Sequence, residues 1–245
     1  MDKKNVNQDE QVTKKEKKKA KKAKSITVKA SKNGRHYMGW LNLYRILVLP
    51  IFYLLKPFKF YGKRKPPEGA CVFVCNHYKM FDIAYVAATT WEGIHIIGKR
   101  SLADAPVMGT LARSVKMIPV SRDGNDVRAL LDCFKCLKNG EKIAVFPEGT
   151  RNKIGADMLP FKHGASIMAI KTKTPIVPMV IYKEPKWFRK THIIMGDPFE
   201  FTEYYDRKLS DEDFIEADEK LRQKMLSMRE EHTKFLENKK KKGKK

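Results

Sequence analysis

Between residues 70 and 195, short apolar runs alternate with longer amphipathic stretches, and this alternation restricts the fold more than any other feature of the chain. The run at 70–75, Ala-Cys-Val-Phe-Val-Cys, has no charged position. A strand of that kind is covered on both faces, as in a parallel sheet between layers of helix. Similar runs at 94–98, 117–121, 142–146, 176–182 and 192–195 read as further strands. Helical patterning occupies 80–90, 105–115, 125–137 and 164–171, the third stopped by Asn139 and Gly140. A closing amphipathic helix at 211–235 carries Phe214, Leu221, Met225, Met228 and Phe235 at helical intervals. The expected fold is α/β, a largely parallel sheet flanked by helices. Its binding crevice should lie at the carboxyl ends of the strands. A length of 245 residues, 42% of them hydrophobic, suits one sizeable core.

The net charge of +23 is unevenly placed. Residues 1–24 hold ten Lys against four acids, and residues 239–245 hold six Lys. The ends, 1–36 and 239–245, read as disordered Lys-rich tails. A basic chain calls for an anionic partner. No nucleic-acid-binding motif accompanies the lysines, so nucleic acid is not expected. Lys clusters beside an apolar segment suit acidic lipid headgroups, at roughly 1 kcal/mol per charge. Cys133 and Cys136 form a Cys-x-x-Cys, which admits a redox or zinc reading. They lie three apart on an amphipathic helix, however, and Cys71 and Cys75 share one face of a strand. All four are expected to be small buried residues.

The stretch at 40–55, Trp-Leu-Asn-Leu-Tyr-Arg-Ile-Leu-Val-Leu-Pro-Ile-Phe-Tyr-Leu-Leu, precedes this domain. Its uncharged part, 46–55, contains Pro50 and is far short of the roughly twenty residues that span a bilayer. It is followed by Lys-Pro-Phe-Lys with no small-residue cleavage site, unlike a signal peptide. Trp40, Tyr44, Tyr53 and Tyr61 offer rings for the headgroup level, and Lys56 and Lys59 can snorkel. Residues 37–65 are therefore expected to form a short helical, monotopic membrane-associating segment ahead of a domain at 66–238. The aromatic and basic stretch at 185–190 is the next candidate for a membrane contact.

Two motifs fall at strand ends. Residues 76–82 read Asn-His-Tyr-Lys-Met-Phe-Asp, and residues 146–151 read Phe-Pro-Glu-Gly-Thr-Arg. His77 is suited to take a proton near neutral pH. Asp82, folded back from a first helical turn, can hold its tautomer and stabilise the imidazolium. No Ser elbow or protease-like Cys–His pairing is present, so the hydroxyl to be activated belongs to the substrate. In the second motif, Gly149 permits close backbone approach and offers an N–H to an anion or oxyanion. Arg151 can grip a phosphate with two parallel bonds, and Arg122, after the run at 117–121, is a second candidate. His77, His95 and His163 lack metal-binding spacing. A phosphate-binding Gly-rich loop is also missing, which disfavours nucleotide hydrolysis and hydride transfer.

These motifs resemble the 1-acyl-sn-glycerol-3-phosphate acyltransferase (lysophosphatidic acid acyltransferase) family of glycerolipid acyltransferases. The family's Asn-His-x-x-x-x-Asp block matches Asn76, His77 and Asp82, and Phe-Pro-Glu-Gly-Thr-Arg matches 146–151 throughout. A Gly-to-Arg block is similar to Gly109 through Arg122, with a less typical middle. The Val-Pro-Met at 177–179 and Phe-Lys-His-Gly-Ala at 161–165 resemble further family blocks. The resemblance covers roughly residues 40–200 and leaves the N-terminal tail without an account.

It implies transfer of an acyl group from a thioester, on CoA or acyl carrier protein, to the free hydroxyl of lysophosphatidic acid at the cytoplasmic face of an anionic membrane. His77 and Asp82 would be catalytic. Glu148, Gly149 and Thr150 would shape the acceptor site, and Arg151 and Arg122 would hold its phosphate. No metal or organic cofactor is implied. Glycerol 3-phosphate or another lysophospholipid remains an alternative acceptor, and a non-enzymatic basic membrane or nucleic-acid binder is the reading from another class.

Overall fold

The computed structural model describes residues 39–242 apart from 63–64, 107–108, 111, 113–115 and 122–125, with backbone alone at 40–41. The expected helix at 105–115 and the tail at 1–36 lie wholly or mostly outside the described residues. The chain enters on α1 (Gly39–Leu55), followed by β1 (Phe58–Gly62), β2 (Cys71–Cys75), α2 (Asp82–Ala87), β3 (Ile94–Lys99) and α3 (Arg100–Asp104). It continues through β4 (Ile118–Val120), α4 (Val127–Lys138), β5 (Lys142–Val145), α5 (Gly164–Thr172), β6 (Ile176–Ile181) and β7 (Thr191–Met195). A 3₁₀ turn, Thr202–Tyr204, precedes the last helix, α6 (Asp211–Lys242).

The seven strands form one sheet in the order β1-β7-β6-β2-β5-β3-β4. Every neighbouring pair is parallel except β6 and β7. β2, buried along its whole length, sits in the middle and shows why the sheet needs helices on both sides. Cys71, Phe73 and Cys75 pack toward Tyr85 and Val86 of α2, with Phe52 of α1 against the same cluster. Val72 and Val74 face Cys133 and Leu137 of α4, Ala165 and Met168 of α5, and Leu221 and Met225 of α6. The four cysteines are free and buried, as expected from their positions. Burial pushes the Cys71, Cys133 and Cys136 thiols up to about 12, which makes them poor nucleophiles.

The connections set where a ligand can go. From β2 the chain crosses by α2, on the Phe73 face, to β3 beyond β5. From β5 it crosses by α5, on the Val72 face, to β6 beyond β2. Adjacent strands that send their connections to opposite faces open a crevice between them at their carboxyl ends. His77 follows one of these strands and Glu148 the other.

Two features differ from expectation. β1, inside the segment read as membrane-associating, is an edge strand paired in parallel with β7. Its Phe58 and Phe60 pack on the core while Lys59 faces out, a period-two signal masked by the lysines around it. α6 runs beyond Phe235 to Lys242, so Lys239 to Lys242 are helical rather than a disordered tail. Four cations in a last turn complement the negative end of the helix dipole. α1 does form a helix, and among the described residues no helix is long and apolar enough to cross a membrane.

α1 is fixed by one buried cation. Arg45 Nε donates to the Ala87 carbonyl at 2.8 Å, and its Nη atoms donate to the Trp91 and Glu92 carbonyls at 3.0 and 2.9 Å. Those oxygens lie at and beyond the end of α2, where helix carbonyls lack partners. Leu43, Ile46, Leu47, Ile51 and Leu54, at i, i+3, i+4, i+8 and i+11, remain exposed on the other face.

Candidate active site

The site is assembled where β2 gives way to its loop. The Asn76 side chain donates to the Ile181 carbonyl at 3.1 Å and accepts the Ile181 N–H at 2.7 Å. It acts as one more residue of ladder, tying the end of β2 to the end of β6. Past it the chain turns, and Asp82 at the start of α2 reaches back. One oxygen, Oδ2, lies 2.9 Å from His77 Nδ1 and accepts the N–H groups of Tyr78 at 2.6 Å and Lys79 at 2.7 Å. The five-residue separation that no straight helix could close is closed by a loop wrapped round the carboxylate. An acceptor at Nδ1 places the proton there and leaves Nε2 with its lone pair. Asp82 is 1% exposed and His77 18%, so the imidazole is reachable and the carboxylate bonded to it is shielded.

The loop after β5 clamps His77 from the other side of the crevice. Phe146 stacks on the imidazole with centroids 4.1 Å apart. Glu148 Oε1 accepts the His77 N–H at 2.9 Å, and the Asn152 N–H donates to the His77 carbonyl at 2.7 Å. The other oxygen of Glu148 accepts the Leu159 N–H at 3.2 Å. Glu148 is therefore a buried bracket joining three backbone segments. Burial raises its pKa, opposed by the two backbone N–H bonds and by His77.

Gly149 departs from its expected role. Its N–H closes a turn onto the Phe146 carbonyl at 3.1 Å instead of standing free for an oxyanion. The glycine is needed for shape: its φ is +61°, and a Cβ would lie 2.8 Å from Lys162 Cδ.

Thr150 and Arg151 are exposed, and Arg151 lines a groove of about 450 Å³ beside Tyr78 and Asn152. Five basic side chains and one acid, Glu184, border this groove. Three of the cations come from outside the motifs: Lys153, two residues past the second one, Lys183, just past β6, and Arg229 of α6. Arg229 donates to the Tyr78 hydroxyl at 3.1 Å and to the Asp157 carbonyl at 2.6 Å, which fixes it next to the His77 loop. Arg229 lay within the periodic pattern of the closing helix, and nothing local distinguishes it from a solvated charge. A larger groove of about 660 Å³ shares Lys183 and Arg229 and runs along α6, touching neither His77 nor Arg151. Arg122 lies outside the described residues.

Among the described residues one group of possible metal ligands converges, His95, Cys136 and Glu141, all buried. It sits at the amino ends of β3 and β5, opposite His77. Its members already bond one another, His95 Nε2 to Glu141 Oε2 and the Cys136 thiol to Glu141, while His95 Nδ1 meets the Lys116 carbonyl at 3.1 Å. The group is a closed polar core and takes no part in the site.

The geometry has relatives. The chain is 37% identical over 122 residues to a 1-acyl-sn-glycerol-3-phosphate acyltransferase of Helicobacter pylori, covering 49% of this chain and 52% of that one. It is 28% identical over 148 residues to the Bacillus subtilis protein of the same name, covering 57% and 72%. The chain spans about half or less of the length of the first curated relatives it matches. Its fold is like that of the 1-acyl-sn-glycerophosphate acyltransferase of Thermotoga maritima, with a TM-score of 0.59 and 24% identity over 78% of this chain and 77% of that one. The acyltransferase family model matches residues 57–182, which run from β1 through both motifs to the end of β6 and make up just over half of the chain: the protein belongs to the acyltransferase family.

Proposed function

We propose that the protein transfers a fatty acyl group from a thioester to the free hydroxyl of 1-acyl-sn-glycerol 3-phosphate, giving phosphatidic acid. The observation that carries this reading is the His77–Asp82 pair at the sheet crevice, set beside a groove bordered mainly by cations. His77 Nε2 takes the proton as the acceptor oxygen attacks the thioester carbonyl. Asp82 stabilises the imidazolium that forms. When the tetrahedral intermediate collapses, the C–S bond breaks and the imidazolium returns its proton to the departing thiolate. The products are an ester and a free thiol. The acyl group need not rest on the protein, since the four cysteines are buried away from solvent.

Arg151 in the groove, with Lys183 and Arg229, suits a phosphate monoester, and a guanidinium can hold it at two points. The general-base route calls for no metal or organic cofactor. CoA and acyl carrier protein would present the same thioester, and the site chemistry serves either. The exposed apolar stripe of α1 would rest on the cytoplasmic leaflet where the acceptor lies, with basic groups meeting anionic headgroups.

The test is acyl transfer by purified protein to lysophosphatidate, glycerol 3-phosphate and lysophosphatidylcholine, with CoA and carrier-protein thioesters. Lysophosphatidate should give the highest kcat/KM, and His77→Ala should lower it by at least about a hundredfold. A folded His77→Ala protein keeping a tenth of normal turnover would remove His77 as the base.

A further inference from the structure

The segment between β6 and β7, residues 182–190, joins the groove to a second apolar projection. At its start Lys183 and Glu184 border the groove, and Glu184 Oε1 pairs with Lys79 Nζ at 2.5 Å. At its far end Trp187 and Phe188 are 56% and 72% exposed, two large rings facing water side by side. Lys186, Arg189 and Lys190 around them are exposed as well.

The tip is held in place rather than left loose. The Phe188 N–H donates to the Leu55 carbonyl at 2.8 Å, satisfying the last turn of α1. Lys56 Nζ lies 4.1 Å from the centre of the Trp187 ring. The Thr191 N–H donates to the Pro57 carbonyl at 2.8 Å. Phe188 also adopts a φ of +55°, a left-handed conformation that is costly for a bulky side chain and persists only where its surroundings impose it. The fold thus keeps two rings exposed at the end of α1, where the Leu43–Leu54 stripe finishes.

We propose that residues 183–190 form an interfacial lip. Trp187 and Phe188 insert beside α1 among the acyl chains of an anionic phospholipid leaflet, and Lys186, Arg189 and Lys190 meet the headgroups. Lys183 and Glu184, on the same short segment, bring the headgroup edge of the leaflet to the groove beside the His77 loop, so an acceptor reaches the base without leaving the interface. Aromatic rings flanked by cations are the composition that a leaflet boundary favours. This inference rests on reading the acceptor as a membrane lipid.

The test uses the full chain with Trp187→Ser/Phe188→Ser, and with the ring-conserving Trp187→Phe/Phe188→Trp as its partner. Vesicles of phosphatidylcholine with phosphatidylglycerol are sedimented at low and high salt. Turnover is measured on long-chain lysophosphatidate in the vesicles and on a short-chain, water-soluble lysophosphatidate. The serine variant should lose about tenfold or more in partitioning at high salt, with a matching loss of vesicle turnover and normal turnover of the soluble acceptor. The ring-conserving variant should behave as wild type. Unchanged partitioning of the serine variant overturns the lip, as does an equal loss in both variants or on both acceptors. If the wild type turns over neither acceptor, the proposed reaction fails instead, and sedimentation still decides the lip.

Discussion

A single oxygen of Asp82 serves His77 and two backbone amides, so the residue orients the imidazole and also folds the loop that carries it. Asparagine separates the two duties. Its amide oxygen can still accept the Tyr78 and Lys79 N–H groups, but it carries no charge to stabilise an imidazolium. Asp82→Asn should therefore lower kcat by about a hundredfold or more and leave acceptor KM within about threefold. Steady-state kinetics check this; a raised KM at normal kcat would make Asp82 a binding residue. His77, Asp82 and Arg151 could be read from the sequence because each lies in a contiguous motif whose spacing is itself the geometry. Lys183 and Arg229 could not, since they reach the groove from β6 and α6 and have no local pattern. Gly149 was legible only in part. Its presence signalled a turn, but whether its N–H faces a ligand or a carbonyl depends on how Phe146 and Glu148 lie around it.

α1 shows how one element can be half legible. Its apolar pattern and its length too short to span were evident in the chain, but Arg45 looked like an interruption in an apolar helix. In the fold Arg45 is 3% exposed and is what holds the helix down, its charge met by carbonyls at and beyond the negative end of the α2 dipole. Burial lowers its pKa only to about 10, so it stays cationic at neutral pH. Arg45→Met would keep the packing volume and strand the Ala87, Trp91 and Glu92 carbonyls. The unfolding free energy from urea titration should fall by about 2–4 kcal/mol, a few incompletely hydrated acceptors' worth. A loss below about 1 kcal/mol would mean that α1 is held instead by the Phe52–Tyr85 contact, whose rings lie 5.3 Å apart. β1 was missed for the complementary reason: five residues flanked by lysines carry too little alternation, and their pairing with β7 is set by chain more than 130 residues away.

At the scale of the whole molecule, α6 is the member that links everything else, about 48 Å of helix laid across the sheet. Its Asp218 meets His163 next to α5 at 2.9 Å, Arg229 meets Tyr78 in the site, and His232 Nε2 meets His192 Nδ1 of β7 at 2.8 Å. Conditions that loosen α6 therefore loosen the site, and two of these links titrate with opposite sign. Burial and the facing His192 push His232 down to about 4, and burial with Lys190, Lys59 and Lys239 nearby lowers His192. A lowered imidazole pKa means that the unfolded chain binds the proton better. The stability this pair contributes is whole above the ordinary value of 6.5 and is lost as pH falls toward about 4. Asp218 is raised to about 6 by burial, so its contribution is present below the ordinary 3.8 and is lost as pH rises through 6. His232→Phe removes the His232 part of the first effect, leaves the smaller His192 part, and keeps the second. The ring remains among Tyr61, Tyr182 and Phe235, whose centroids lie 4.4, 5.0 and 5.7 Å from that of His232. Thermal unfolding followed from pH 7 to pH 4.5 should show the wild type losing more of its Tm than the variant. The gap should open below pH 6.5 and widen steadily, because only the wild type must admit a second cation beside His192 and the lysines. Parallel Tm profiles would show that water already reaches the pair and that α6 is held at that end by Tyr182 and Thr233, whose hydroxyls lie 2.9 Å apart, and by ring contacts alone.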